Sequence, residues 1–314
     1  MGDFANNIRR MRNAPRYLAA NTVGRACIAY QNRDYYLNSR AKKQSTLPRP
    51  NHTRICSDFE ALGVRVVPYT INIDGFNDWL DRVQFPSRYI DIFGEVFVEK
   101  ALEYYVGASL LEMKSDDIFI DIAAALSPWY EMAERVYGCQ AHALDLLFPS
   151  GVHGKKIGAD ATQMPLSDEF ATKIALHCAY EMFEGDADIR LLSEAHRVLK
   201  DGGKMVILPL YMDEFFYALS SPHADRRGLD YGRAERVWWD DIWRDRFARF
   251  YSVDAFYERI VANISGFTLQ IYYIENEKDL SPNCYLKFAA LFEKLSTQQR
   301  PEGLNRVEKE RHRS

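Results

Sequence analysis

The chain has 314 residues, 47% of them hydrophobic and 27% charged, with a formal net charge of −4. That balance excludes a wholly disordered, collagen-like or coiled-coil chain, and the length suffices to bury a large core in one or two domains. No apolar run approaches the ~20 residues of a membrane span.

Charge is unevenly spread. Residues 1–50 hold ten Lys and Arg against Asp3 and Asp34, a net +8 that leaves −12 for the remainder. This segment predicts helix over 5–44, with breaks near Pro15 and Gly24. Three readings fit it: a solvated helical face, a patch for an anionic partner, and an Arg-rich presequence. Thr46 to Asn51 holds two prolines and reads as a linker. Gly63 to Ile71 alternates and is β-branched, which predicts a strand. Helices are predicted over 75–83 and 95–111, the second with Val98, Leu102, Tyr105, Val106 and Leu110 at helical spacing.

From Asp116 the pattern changes. Ile118-Phe119-Ile120 predicts a short strand running into Asp121, followed by a helix over 128–137. Ala141 to Leu144 predicts a strand ending in Asp145. Lys156-Ile157-Gly158 leads into Asp160-Ala161, and Ala171 to Leu176 predicts a strand ending at His177-Cys178. A helix over 186–199 stops at Asp201-Gly202-Gly203, with a strand over 204–208. This alternation predicts an α/β fold, a doubly wound and mostly parallel sheet. Residues 211–260, dense in Trp, Tyr, Phe and Arg, read as a helical, aromatic lid inserted after the fifth strand. Residues 267–274 and 284–293 predict a late strand pair, and the polar stretch from Thr297 reads as a disordered tail.

In open α/β sheets ligands bind outside the carboxyl ends of the strands. Those ends carry Asp121, Asp145, Asp160-Ala161 and His177. A carboxylate closing the second strand suits a ribose diol, and a small-residue turn after the first lets a nucleoside approach the backbone. Five scattered cysteines without a C-x-x-C pair fit neither a disulfide framework nor a zinc knuckle, so a reducing, cytoplasmic setting is expected, and no signal peptide or metal set is evident.

Three stretches carry a family resemblance: Phe119 to Ala125, Ile157 to Ala161 with Met164-Pro165-Leu166, and Glu194 to Lys204, which contains Arg197-Val198-Leu199-Lys200-Asp201-Gly202-Gly203. Residues 116–210 resemble a class I S-adenosylmethionine-dependent methyltransferase domain. The resemblance divides the chain into an N-terminal, mostly helical extension (1–110), a methyltransferase-like domain (111–296, with the lid over 211–260) and a tail (297–314). It implies S-adenosylmethionine as cofactor. Asp121 would lie under its methionine end or organise the turn that does. Ala123, Ala125 and Ser127 stand where the family has glycines. Asp145 would hold the ribose, Asp160 and Ala161 would flank the adenine, and His177 would lie beside the transferring methyl.

A glycine-free turn departs from the family pattern, since alanine and serine do not freely supply positive φ. It leaves open a catalytically silent, methyltransferase-like binding protein. The preferred reading is methyl transfer to a small-molecule or glycan-type acceptor, at oxygen, with His177 or Glu181 taking the proton. His177 packed against the cofactor without proton transfer is the alternative. Tyr211, His223, Arg249 and Tyr251 in the lid are the candidate acceptor-binding residues, because aromatic faces stack on rings and Arg forks bind anions. A nucleic-acid methyltransferase is the least favoured reading: the basic N-terminus motivates it, and the acidic remainder and the lack of an Asn-Pro-Pro-Tyr type motif oppose it.

Overall fold

The computed structural model describes residues 49–125, 127–221, 224–239 and 245–296. The basic N-terminal segment up to residue 48 and the tail from Thr297 lie outside them. The chain divides into two compact units. Of the described residues, one comprises Val64–Cys178, Arg190–Pro209 and 261–296; the other comprises 49–63, Ala179–Ile189 and Leu210–Ile260.

The larger unit is built on an eight-stranded sheet in the order β1-β10-β11-β6-β5-β2-β3-β4. Its strands are β1 (Arg65–Tyr69), β2 (Ile118–Ile122), β3 (Gln140–His153), β4 (Lys156–Gly158), β5 (Ala171–His177), β6 (Leu199–Leu208), β10 (Phe267–Ile274) and β11 (Phe288–Lys294). β2 pairs in parallel with both β3 and β5, and β5 with β6. Only β11 runs antiparallel to its neighbours β6 and β10. This is the mostly parallel α/β sheet that the alternation predicts.

The order decides where a ligand belongs. From β2 the chain steps outward through β3 and β4, then returns to the other side of β2 with β5 and β6. The sheet therefore reverses between β2 and β5, and a crevice at such a switch point is the usual binding place. Asp121 is the penultimate residue of one of these strands and His177 the last of the other.

Helices α2 (Ile73–Val83), α3 (Ser87–Phe93), α4 (Phe97–Leu111) and α5 (Trp129–Tyr137) flank this sheet. α2 begins where the Asn72 side chain accepts the Gly75 N–H and buries Phe76, Trp79 and Val83, one face of a helix. α4 is different: Ala101, Leu102, Tyr104, Val106, Ala108, Leu110 and Leu111 are buried, and so are Glu99, Lys100 and Glu103. A helix buried all round must satisfy its charges internally.

Two strand expectations shift. β3 does not stop at Asp145. Ala143, Leu144 and Asp145 face Lys156, Ile157 and Gly158, and the strand then folds back so that Val152 and His153 face Ile157 and Lys156. Gly158 makes this crossing possible, because a Cβ there would lie 1.9 Å from the Pro149 carbonyl oxygen. Gly202 and Gly203 sit within the first part of β6 rather than in a cap beyond the preceding helix α6 (Ala187–Val198).

The smaller unit corrects the expectation of a helical lid. Residues 217–250 supply a three-stranded sheet, β8 (Arg236–Trp239), β7 (Tyr217–Ser220) and β9 (Ala248–Phe250), and α7 (Val253–Arg259) is the only helix that begins within 211–260 among the described residues. The aromatic density was read as helix packing, but aromatic residues favour strands when they meet across them. Tyr217 stacks on Phe250 at 4.8 Å, its direct cross-strand partner. In the same unit α1 (His52–Ala61) brings Phe59 edge-on to Phe256 of α7 at 5.8 Å.

Candidate functional site

At the end of β2 the chain turns sharply. Ala123 takes φ +59°, the left-handed region glycine normally fills, and Ala124 N–H reaches the Leu144 carbonyl at 3.2 Å. The glycine-free turn therefore holds the backbone conformation that its composition does not favour, at a cost on the order of 1 kcal/mol. Ala123 is exposed, so its methyl group meets no wall.

Asp145 fastens the turn to β3. One carboxylate oxygen accepts the Ala125 N–H at 3.0 Å and the other the Leu147 N–H at 2.8 Å. Burial raises the pKa of Asp145, outweighing these two donors, and the Asp121 charge adds to the rise. Each carboxylate oxygen has two lone-pair sites, so Asp145 keeps acceptor capacity for a ribose diol. Asp160 is exposed beyond β4, one oxygen bound to Thr162 N–H at 2.8 Å, and Ala161 is buried beside it. An exposed acid, an acid with spare acceptor sites and a left-handed turn fit a nucleoside cofactor.

The centre of the edge is the pair at the switch point. His177 Nδ1 lies 3.0 Å from Asp121 Oδ1, and the two side chains are 5% and 2% exposed. Ser127 Oγ donates to the other Asp121 oxygen at 2.9 Å. With Nδ1 on a carboxylate, the ring carries its proton there, and Nε2 presents a lone pair. Nε2 is buried without a hydrogen-bond partner. It lies against α4 at Gly107, where a Cβ would stand only 2.9 Å away. Tyr104 of α4 meets the His177 ring edge-on at 4.7 Å.

α4 also brings a charged cluster to this edge. Lys100 Nζ donates to Glu103 Oε1 at 2.7 Å and to the Tyr285 hydroxyl at 2.8 Å. The Tyr285 hydroxyl lies 3.8 Å from Cys178 Sγ, and Tyr285 N–H binds Glu99 at 2.8 Å. Burial pushes the Glu103 carboxyl up to about 7, although Lys100 opposes the rise. Sequence reading missed Lys100, Glu103, Tyr104, Gly107 and Tyr285. The available signal was Glu99, Lys100 and Glu103 at successive positions of a helix otherwise apolar on every side.

The larger unit thus brings together Asp121, Ala123, Ala125, Ser127, Asp145, Asp160, Ala161 and His177. Glu181 belongs to the smaller unit, in the 3-10 turn Tyr180–Met182. Tyr211 is half-buried there, tilted against Phe250 at 5.1 Å. His223 lies outside the described residues. Arg249 and Tyr251 are interior residues: Arg249 is wholly buried and ion-paired with Asp188, and Tyr251 donates its hydroxyl to the same carboxylate. Arg246 is likewise paired, with Glu184, and Arg227 with Asp225. These arginines neutralise acids of their own unit, which accounts for an Arg-rich composition without an anionic ligand.

Residues 122–207 match the family model described as a methyltransferase domain. No curated protein matches the chain. Among solved structures, it is similar to the 1,6-didemethyltoxoflavin-N1-methyltransferase of Burkholderia thailandensis, determined with 1,6-didemethyltoxoflavin and S-adenosylhomocysteine. The identity is 14% over 73% of this chain and 94% of that one, with a TM-score of 0.46. It is also similar to the geranyl diphosphate C-methyltransferase of Streptomyces coelicolor A3(2), at 12% identity over 68% of this chain and 85% of that one, TM-score 0.42. No substrate or residue role is carried over from either. The match to the methyltransferase-domain model covers about a quarter of the chain.

Proposed function

We propose that the chain transfers a methyl group to a hydroxyl oxygen of a small molecule, with the Asp121–His177 pair receiving the proton. One observation carries this reading. At the switch point of the sheet, a histidine tied by Nδ1 to a buried carboxylate leaves Nε2 as an unpartnered acceptor. A buried acceptor without a donor costs about 1–3 kcal/mol, which an arriving hydroxyl would return.

S-Adenosylmethionine, when bound, supplies an electrophilic methyl on a sulfonium. Asp145 would accept the ribose hydroxyls, and Asp160 with Ala161 would border the adenine. The turn at Ala123 would admit the cofactor to the backbone. Alignment of acceptor and methyl supplies most of the acceleration in such a displacement. As the acceptor oxygen takes the methyl, its hydroxyl proton would pass to His177 Nε2. Because Nε2 lies against α4 at Gly107, that transfer requires the helix to part from the end of β5.

The pairing of Arg227, Arg246 and Arg249 with acids favours a neutral acceptor over a glycan-type anion. Calorimetric titration with S-adenosylmethionine and S-adenosylhomocysteine tests the cofactor site first. Micromolar binding that Asp145→Ala abolishes supports it, and absence of heat at millimolar ligand overturns it. Once an acceptor is found, His177→Asn should lower kcat by about 10²–10⁴ and leave cofactor affinity unchanged. An unchanged kcat would remove His177 from the chemistry.

A further inference from the structure

A buried file of hydroxyl groups runs from two helices ahead of the methyltransferase domain to the Asp121–His177 pair. The Tyr89 hydroxyl on α3 and the Tyr104 hydroxyl on α4 are 2.7 Å apart. Tyr104 donates to Ser127 Oγ at 3.0 Å, and Ser127 donates to Asp121 Oδ2 at 2.9 Å. Ser127 Oγ also accepts the Trp129 backbone N–H at 3.0 Å.

These contacts fix a direction. A hydroxyl has one proton and two acceptor sites. Ser127 accepts from Tyr104 and from Trp129, so its own proton goes to Asp121. Tyr104 spends its proton on Ser127, so it accepts from Tyr89. Every hydroxyl in the file donates toward Asp121, whose other oxygen takes His177 Nδ1 at 3.0 Å. The rings are held as firmly: Tyr104 stacks on Trp129 at 5.0 Å and meets His177 edge-on.

We propose that Ser127 and Tyr104, with Tyr89 behind them, are positioning residues for methyl transfer. The file holds Asp121 in one orientation, fixes His177 in its Nδ1–H tautomer, and moderates how strongly the carboxylate accepts the Nδ1 proton. This rests on the reading of His177 as the proton acceptor. It also gives a reason for serine where glycine was expected: the hydroxyl is used, which glycine could not supply. The groups facing His177 are Asp121 from β2, Glu103 and Tyr104 from α4 and the uncharged Trp129 from α5, with Lys100 on Glu103 and the Tyr285 hydroxyl on Lys100.

The test is NMR of the full chain labelled with nitrogen-15 at histidine. The Nδ1–H tautomer is expected, with its proton resonance moved downfield by the hydrogen bond to Asp121. Ser127→Ala takes an O–H away from Asp121, so the carboxylate accepts the Nδ1 proton more strongly and that resonance moves further downfield. Tyr104→Phe keeps the ring but weakens Ser127 as a donor, so it should move the resonance less, and Tyr89→Phe least.

A role in packing alone would lower melting temperatures without this order. An Nε2–H tautomer in the unsubstituted file overturns the proposal and needs no further variant to fold. An Nδ1–H resonance at the same position in all three folded variants also overturns it. If the tautomer and the order are found while calorimetry shows no cofactor binding, the file stands and the methyl-transfer reading falls.

Discussion

Single residues decide whether this edge of the sheet can serve a cofactor. Ala123 holds φ +59° with its side chain exposed, so it loses little packing if replaced and carries the strain of a left-handed alanine. Ala123→Gly should therefore raise stability, by about 1 kcal/mol once the greater freedom of unfolded glycine is set against the relieved strain. Urea unfolding measures it, and a loss of stability would mean that the turn is not left-handed. Glu103 gives a second prediction. Its folded pKa, about 7, stands above its ordinary value of 4.5 because burial opposes the charge. A raised carboxyl pKa means that its contribution is fully present below pH 4.5 and is lost as pH rises through about 7. The loss corresponds to about 3 kcal/mol. Glu103→Gln should flatten the stability profile across that window, and because it takes the carboxylate from buried Lys100 it should lower stability below pH 7. Denaturant midpoints at five or six pH values suffice, and parallel profiles would refute the burial argument.

At the scale of elements, periodicity located what periodicity controls. The strands ending at Asp121 and His177, the helices over 129–137 and 187–198 and the late pair β10–β11 were legible, because each carries its own hydrophobic repeat and stop signal. The positions of the candidate acids at strand ends were legible for the same reason. Two things were not. Whether Tyr217-Ala218-Leu219-Ser220 belongs to a helix or a sheet depends on Phe250 lying opposite, thirty-three positions along the chain. The return of β3 upon β4 depends on Gly158 meeting Pro149, an encounter between backbones that no local pattern announces. That crossing can be tested directly. A methyl group at 158 would fall 1.9 Å from a carbonyl oxygen, which cannot swing aside as a side-chain tip would. Gly158→Ala should cost roughly 3 kcal/mol or more, beyond the usual penalty for one added carbon. Hydrogen exchange should quicken across 146–153, and unchanged protection there would show that the ribbon tolerates the substitution.

For the whole molecule, the arginines raise the question of what charge does. The sequence suggests forks offered to a ligand, but the fold pairs Arg249 with an acid in its interior. Asp188, fully buried, faces Arg249 and Arg259 together and takes the Tyr251 hydroxyl, and Arg249 also donates to the Gly185 carbonyl at 2.7 Å. One carboxylate thus answers two guanidiniums, and the arrangement is asymmetric. Removing the acid takes a carboxylate from two guanidiniums at once, one of them wholly buried. Removing Arg249 leaves Asp188 still paired with Arg259, 2.8 Å away. Breaking a buried pair from the side that strands a charge costs about 3–5 kcal/mol, whereas replacing a member by an apolar side chain of similar length costs far less when the remaining charge keeps a partner. Asp188→Asn should therefore destabilise the chain by several kcal/mol and Arg249→Met by roughly 1–2. Against a total stability of about 5–15 kcal/mol, the first is a third or more of what holds a domain folded. Urea titrations followed by circular dichroism compare the two. If Arg249→Met proved the costlier, the guanidinium would be holding something besides Asp188, and the case for a ligand on that side of the chain would reopen.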